Sequence, residues 1–180
     1  MSQEILERCD ASGRRLGPVP RDVCHGDPSC IHMTVHLHVF DGVRGLLLQK
    51  RSPAKDLYPG RWDTAVGGHV HAGETVWAAL LREAREELDV DASPARLLYA
   101  YLHANEHESE YVSTFGMVRQ GPFLFGAAEI DEVKFLAAPE ITALFGSGEL
   151  TPNFEDEFTR LVSSGAFPDG GGAGDPAPRA

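Results

Sequence analysis

The stretch TVWAALLREAREEL, residues 75–88, has no glycine or proline and repeats its apolar residues at helical spacing. Placed at about 100° per residue from Val76, the side chains of Val76, Leu80, Ala84, Trp77, Leu88 and Leu81 fall within an arc of about 140°. This predicts an amphipathic helix whose apolar stripe faces a core. Glu87, at about 20°, and Glu83, at about 340°, lie in or beside that stripe, while Arg82 and Arg85, at about 240° and 180°, point outward. A solvated face of acid and base pairs is the ordinary reading of such a charge run. Here it conflicts with the geometry, because two inward carboxylates are desolvated like charges that cost several kcal/mol unless a cation joins them. Glu86, at about 280°, lies next to that pair and four residues after Arg82. Oxygen ligands at this density favour Mg²⁺ or Mn²⁺, completed by water and substrate phosphate.

Working outward, residues 32–40 alternate: Met33, Val35, Leu37 and Val39 point one way, His32, Thr34, His36 and His38 the other. This predicts a half-polar strand. Further strands are predicted at 46–48, 62–70 with a break at Gly67-Gly68, 96–103, 111–118 and 133–137. A short helix opens at Pro139, and another covers 154–162. Residues 4–19, around the turn Asp10-Ala11-Ser12-Gly13, predict a hairpin within an N-terminal extension, 1–24. The main domain is expected over 25–167, and the glycine- and proline-rich tail, 168–180, is expected to be disordered.

The chain has 180 residues, enough for one domain with a sizeable core, and its 42% hydrophobic and 24% charged residues suit a globular protein. Twenty-seven acids against sixteen bases leave a formal charge of -11. Such a surface repels nucleic acids and anionic membranes, so the expected partner is a small molecule and not nucleic acid or a membrane. Cys9, Cys24 and Cys30 are too few and odd in number for a disulfide framework, and fit free thiols in the cytoplasm. The opening MSQEILERCD lacks the charged and apolar regions of a signal peptide, and no run reaches membrane-span length. Lys50, Arg51, Lys55 and Arg61 gather bases in one loop of an acidic chain, which reads either as a solvated basic loop or as a site whose expected guest is a diphosphate.

Gly68, Glu74 and the run Arg82-Glu83-Ala84-Arg85-Glu86-Glu87-Leu88-Asp89-Val90 resemble the Nudix box, G-x5-E-x7-R-E-U-x-E-E-x-G-U, with U apolar. Every charged position matches. Asp89 stands where the family has glycine, and Asp tolerates the left-handed conformation that leaves the helix there. The resemblance implies an α/β/α sandwich, a mixed sheet between helices. It also implies a hydrolase acting on nucleoside diphosphate derivatives by attack of water on phosphorus. By similarity Glu83, Glu86 and Glu87, with the Gly67 carbonyl, hold the metal, Arg82 belongs to the catalytic set, and one of the glutamates or an acid outside the box activates the water.

Beyond the box, His25, His32, Gln49-Lys50-Arg51-Ser52, Lys55, Pro59-Gly60-Arg61-Trp62 and Gly68-His69 resemble the family branch that includes isopentenyl-diphosphate isomerase. In that branch the positions of Arg51 and Lys55 hold the substrate diphosphate. The resemblance also implies a second metal set of His25, His32 and His69, with Glu108 and Glu110 as its acids; the alternative is that the histidines cap and pack the N-terminal segment. The isomerase has an essential cysteine where this chain has Gly67, which argues against isomerisation. Two rival readings are kept: the isomerase, and a catalytically silent nucleotide-sensing module. His36 and His38 are read as cavity-lining groups or as half-buried strand histidines, and Glu132 as an acid that completes the metal site. Monomer and homodimer are both compatible.

Overall fold

The computed structural model describes residues 3–43, 45–55 and 57–167. The expectation of a disordered tail therefore falls outside the described residues. In chain order the elements are β1 (Ile5–Cys9), β2 (Arg15–Pro20), α1 (Arg21–Cys24), β3 (Ile31–Phe40), β4 (Leu46–Arg51), β5 (Trp62–Thr64), β6 (Val66–His69), α2 (Val76–Leu88), β7 (Arg96–Ala104), β8 (Ser109–Val118), β9 (Ile130–Leu136), α3 (Ala138–Ala143) and α4 (Pro152–Ser163).

The predicted alternation of β3 sets up the two layers. Val35, Leu37 and Val39 enter a core under α2, which contributes Ala79, Leu80, Ala84 and Leu88. On the opposite face Phe40, Leu46 and Leu48 pack against Phe154, Phe158 and Leu161 of α4. The sheet is mixed. β3 runs parallel to β8 in unbroken register from Ile31↔Ser109 to Phe40↔Val118. It runs antiparallel to β6, with Thr34 opposite His69 and His36 opposite Gly67. The strands β4, β5 and β9 extend the sheet on the other side.

Local chemistry fixes the ends of α2. The Thr75 hydroxyl accepts from the Ala78 N–H at 3.0 Å, which satisfies one otherwise free donor of the first turn. Asp89 takes the left-handed conformation, φ 51° and ψ 43°, and its N–H and that of Val90 close back on Arg85 and Ala84.

Two expectations about these elements need correction, the position of the strand break and the burial of Trp77. The break in residues 62–70 falls at Ala65, and Gly67 and Gly68 lie inside β6. Their role is close approach: a Cβ on Gly68 would overlap the Glu83 carboxyl group. Trp77 is 40% exposed, because it sits near the rim of the apolar stripe. The hairpin is joined to the sheet through Arg8↔His32, Glu7 N–H to the Val70 carbonyl and Ala72 N–H to the Ile5 carbonyl. The one-turn helix α1 carries no sequence period long enough to predict it. The three cysteines are free and buried, with Cys24 and Cys30 Sγ 3.2 Å apart.

Fully buried Phe154 and half-exposed Trp77 give a direct check of this packing. Phe154→Ala is expected to lower unfolding free energy by about 3 to 5 kcal/mol in urea titration, and Trp77→Ala by clearly less. Equal losses would contradict the orientation of α2.

Candidate active site

The two inward glutamates of α2 meet the sheet at the glycine pair. Glu87 Oε2 accepts from Gln49 Nε2 at 3.2 Å and from the Gly67 N–H at 3.3 Å. Burial, and then the Glu83 charge, push the Glu87 carboxyl up to about 8. Burial also raises Glu83, against the pull of Arg82. Arg82 corrects the outward placement from the wheel: its long stem folds back over the loop that precedes α2. Its Nη1 reaches Glu83 Oε1 at 2.7 Å and Glu86 Oε2 at 3.1 Å. Its Nε and Nη2 hold the Glu74 carboxylate at 3.1 and 3.0 Å, and Nη2 also donates to the His69 carbonyl at 2.8 Å. Arg82 thus ties Glu74, Glu83 and Glu86 to the end of β6. Glu86 itself is exposed. One inward carboxylate, Glu87, has no side-chain cation within salt-bridge distance among the described residues.

Register assembles the second set. His32 pairs with Glu110 across β3 and β8, and Thr34 with His69 across β3 and β6. The ligand atoms of His25, His32 and His69 lie within 4.8 Å of one another. His25 Nε2 stands 3.2 Å from His69 Nε2, and its Nδ1 is 2.8 Å from Glu108 Oε2. His32 is fully buried, and neither ring nitrogen has a hydrogen-bond partner among the described residues. Its Nε2 is 3.7 Å from Glu110 Oε1. Burial, aided by His69 and His25, pushes His32 down to about 3, so it is a neutral imidazole with a free lone pair. Burial raises Glu110 to about 7. The hairpin adds Glu4, whose Oε1 is 3.3 Å from His69 Nδ1. An unpartnered neutral imidazole beside two more histidines fits a transition-metal ion, and the oxygen-rich Glu83 and Glu87 pair fits Mg²⁺ or Mn²⁺.

A cavity of about 280 Å³ opens beside these groups, and Gly67, Gly68, His69 and Glu87 line both it and the groove over Glu83 and Glu86. Arg51 and Lys55 line the cavity. Arg51 is steadied by Asp63 at 3.3 Å and by the Leu57 carbonyl at 3.1 Å, and Lys55 pairs with Glu129. Lys50 and Arg61 lie elsewhere, over the Trp62 and Tyr58 rings. Sequence reading missed Arg21, which also lines the cavity. Glu132 is exposed on β9 and does not line the cavity, whereas Glu129 is one of the acids that do. His38 is fully buried; only His36 of that pair reaches the cavity wall.

A family model for the NUDIX domain matches residues 31–158. An uncharacterized Nudix hydrolase of Yersinia pestis is 34% identical over 122 residues, 68% of this chain and 66% of that protein. The chain thus spans just under two-thirds of that relative's length. An isopentenyl-diphosphate Delta-isomerase of Streptomyces avermitilis is 32% identical over 145 residues, 76% of this chain and 73% of that protein. The crystal structure of DR0079 from Deinococcus radiodurans shares the fold, with a TM-score of 0.74 at 24% identity, over 87% of this chain and 98% of that one. The chain belongs to the Nudix hydrolase family. No helix among the described residues is long and apolar enough to cross a membrane.

Because Glu87 is raised to about 8, a metal that binds its ionised form must displace a proton below that pH. Mg²⁺ affinity is therefore expected to rise by up to about tenfold per pH unit between about pH 6 and about pH 8, then level off. Calorimetric titration measures this, and Glu87→Gln should flatten the slope. A pH-independent affinity in the parent would contradict the assignment.

Proposed function

We propose that the chain is a diphosphatase dependent on Mg²⁺ or Mn²⁺, acting in the cytoplasm on a small diphosphate such as a nucleoside diphosphate derivative. The observation that carries the reading is the half-buried pair Glu83 and Glu87, which line one groove together, with Arg82 bound to Glu83 alone of the two. Glu83, Glu86, Glu87 and the Gly67 carbonyl would hold the metal. When bound, it neutralises charge developing on the phosphates and acidifies the attacking water.

The remaining work falls to the chain's own side chains. Arg51, braced by Asp63, presents a planar fork to phosphate oxygens, and Lys55 a point charge. Arg82 positions Glu83 and Glu86. One of the glutamates around the cavity takes the proton of the attacking water. His25, His32, His69, Glu108 and Glu110 form a second metal set on this reading.

A second reading, isomerisation of an isoprenoid diphosphate, draws on that histidine and glutamate set and on the 32% identical isomerase. Protonation at carbon needs a positioned acid, and Gly67 supplies none. The diphosphatase reading is preferred for that reason.

Glu83→Gln and Glu87→Gln should each cut turnover by about 10² or more while keeping the melting temperature within a few degrees of the parent. Phosphate release from a panel of diphosphates, with Mg²⁺ and with Mn²⁺, measures it. Parental rates in both variants would make the carboxylate pair structural.

A further inference from the structure

His32, Thr34 and His36 succeed one another on one face of β3, each about 6.6 Å from the next. His32 belongs to the histidine set, which leaves Thr34 and His36 at the cavity wall without a part in the metal chemistry. His36 is held from behind. Its Nδ1 is 2.8 Å from Oε2 of Glu157, a fully buried residue of α4. The same carboxylate accepts from the Thr64 hydroxyl at 2.7 Å and the Thr114 hydroxyl at 2.8 Å. Burying an ionised carboxylate costs several kcal/mol unless it is paired and hydrogen-bonded, and an apolar side chain would fill the same volume without that demand. What the arrangement secures is the orientation of the His36 ring.

With Nδ1 committed to Glu157, Nε2 lies on the side of Gly67. A Cβ on Gly67 would stand 3.3 Å from His36 Cδ2 and 3.4 Å from Nε2. Any side chain at this position therefore crowds the outer edge of the ring, and glycine leaves it uncovered. Two residues from His36 on the same face, Thr34 is 2% exposed, and its hydroxyl has no hydrogen-bond partner among the described residues. The Nε2 edge of one ring and one hydroxyl group thus stand in the cavity wall with no hydrogen-bond partner among the described residues.

We propose that Thr34 and His36, the latter positioned by Glu157, form a specificity subsite for a hydroxyl-bearing group, such as a sugar, attached to the diphosphate. The proposal rests on the diphosphatase reading for where the diphosphate lies. A hydroxylated group hydrogen-bonds with both side chains, whereas an alkyl group of the same size strands them, and a site built for hydrogen bonding rejects such a guest strongly. Gly67 belongs to the same device, because it keeps the ring edge open.

Ribose 5-diphosphate and isopentenyl diphosphate are matched five-carbon probes that differ in their hydroxyl groups. With Mg²⁺ or Mn²⁺, the ratio of their kcat/KM values for phosphate release is expected to favour the ribose compound by about tenfold or more. His36→Leu and Gly67→Ala should each bring the ratio towards unity, and His36→Gln, which keeps a donor, should retain part of it. Glu157→Gln should lower the ratio as well, an effect that a general loss of stability, acting on both probes alike, would not produce. If His36→Leu fails to fold, Gly67→Ala and Thr34→Val decide. A parent ratio at or below unity, or a ratio unmoved by these substitutions, overturns the subsite and leaves the diphosphatase reading standing. Release of phosphate from neither probe overturns the subsite, and the diphosphatase reading falls with it if nucleoside diphosphate derivatives are not cleaved either.

Discussion

β3 is gripped on both edges at once, parallel to β8 over its whole length and antiparallel to β6 over four residues. A slip of one residue on either side would turn every side chain of the strand to the opposite face. That constraint sets His32 opposite Glu110, Thr34 opposite His69 and His36 opposite both Gly67 and Thr114. The apolar alternate positions, Val35, Leu37 and Val39, secure the register by burial under α2. The polar positions then have no freedom to be elsewhere. Packing energy on one face of the strand is thereby converted into placement of polar groups on the other.

The same logic places the carboxylates. Leu80, Ala84 and Leu88 hold α2 against the sheet, which forces Glu83 and Glu87 onto the glycine pair of β6. Glycine at 68 is a steric requirement of that contact. Arg82 compensates Glu83, and Glu87 is left with two neutral donors and a carboxyl raised to about 8. On the proposed reading this half-buried acid takes up a cation, and a cation beside Arg51 and Lys55 would make an anion site inside a negatively charged protein.

The helix 75–88, the alternation of residues 32–40 and the box spacing were legible because each depends on local periodicity. Arg82 departs from its position on the wheel for a related reason: a wheel fixes the direction of Cβ, but a flexible guanidinium stem reaches back to Glu74 and the His69 carbonyl. Glu157 carried no signal at all, since its partner His36 is 121 residues away and only the packing of α4 on the sheet joins them. In the sequence the glycine pair reads as a break, because glycine punctuates local structure. Its close approach to Glu83 and His36 is a tertiary fact. Glu129 and Arg21 are not legible in the sequence, because nothing in their own neighbourhoods sets them apart from surface charges.

Metal binding by the carboxylate pair of α2 is the step on which the proposed chemistry rests. Anomalous scattering from crystals grown with Mn²⁺ tests this most directly, because it locates the ion without recourse to activity. The expected result is a Mn²⁺ peak within bonding distance of Glu83 and Glu87 at the Gly67 edge of β6. Mn²⁺ found only at exposed surface acids, with that pair unliganded at alkaline pH, would contradict it.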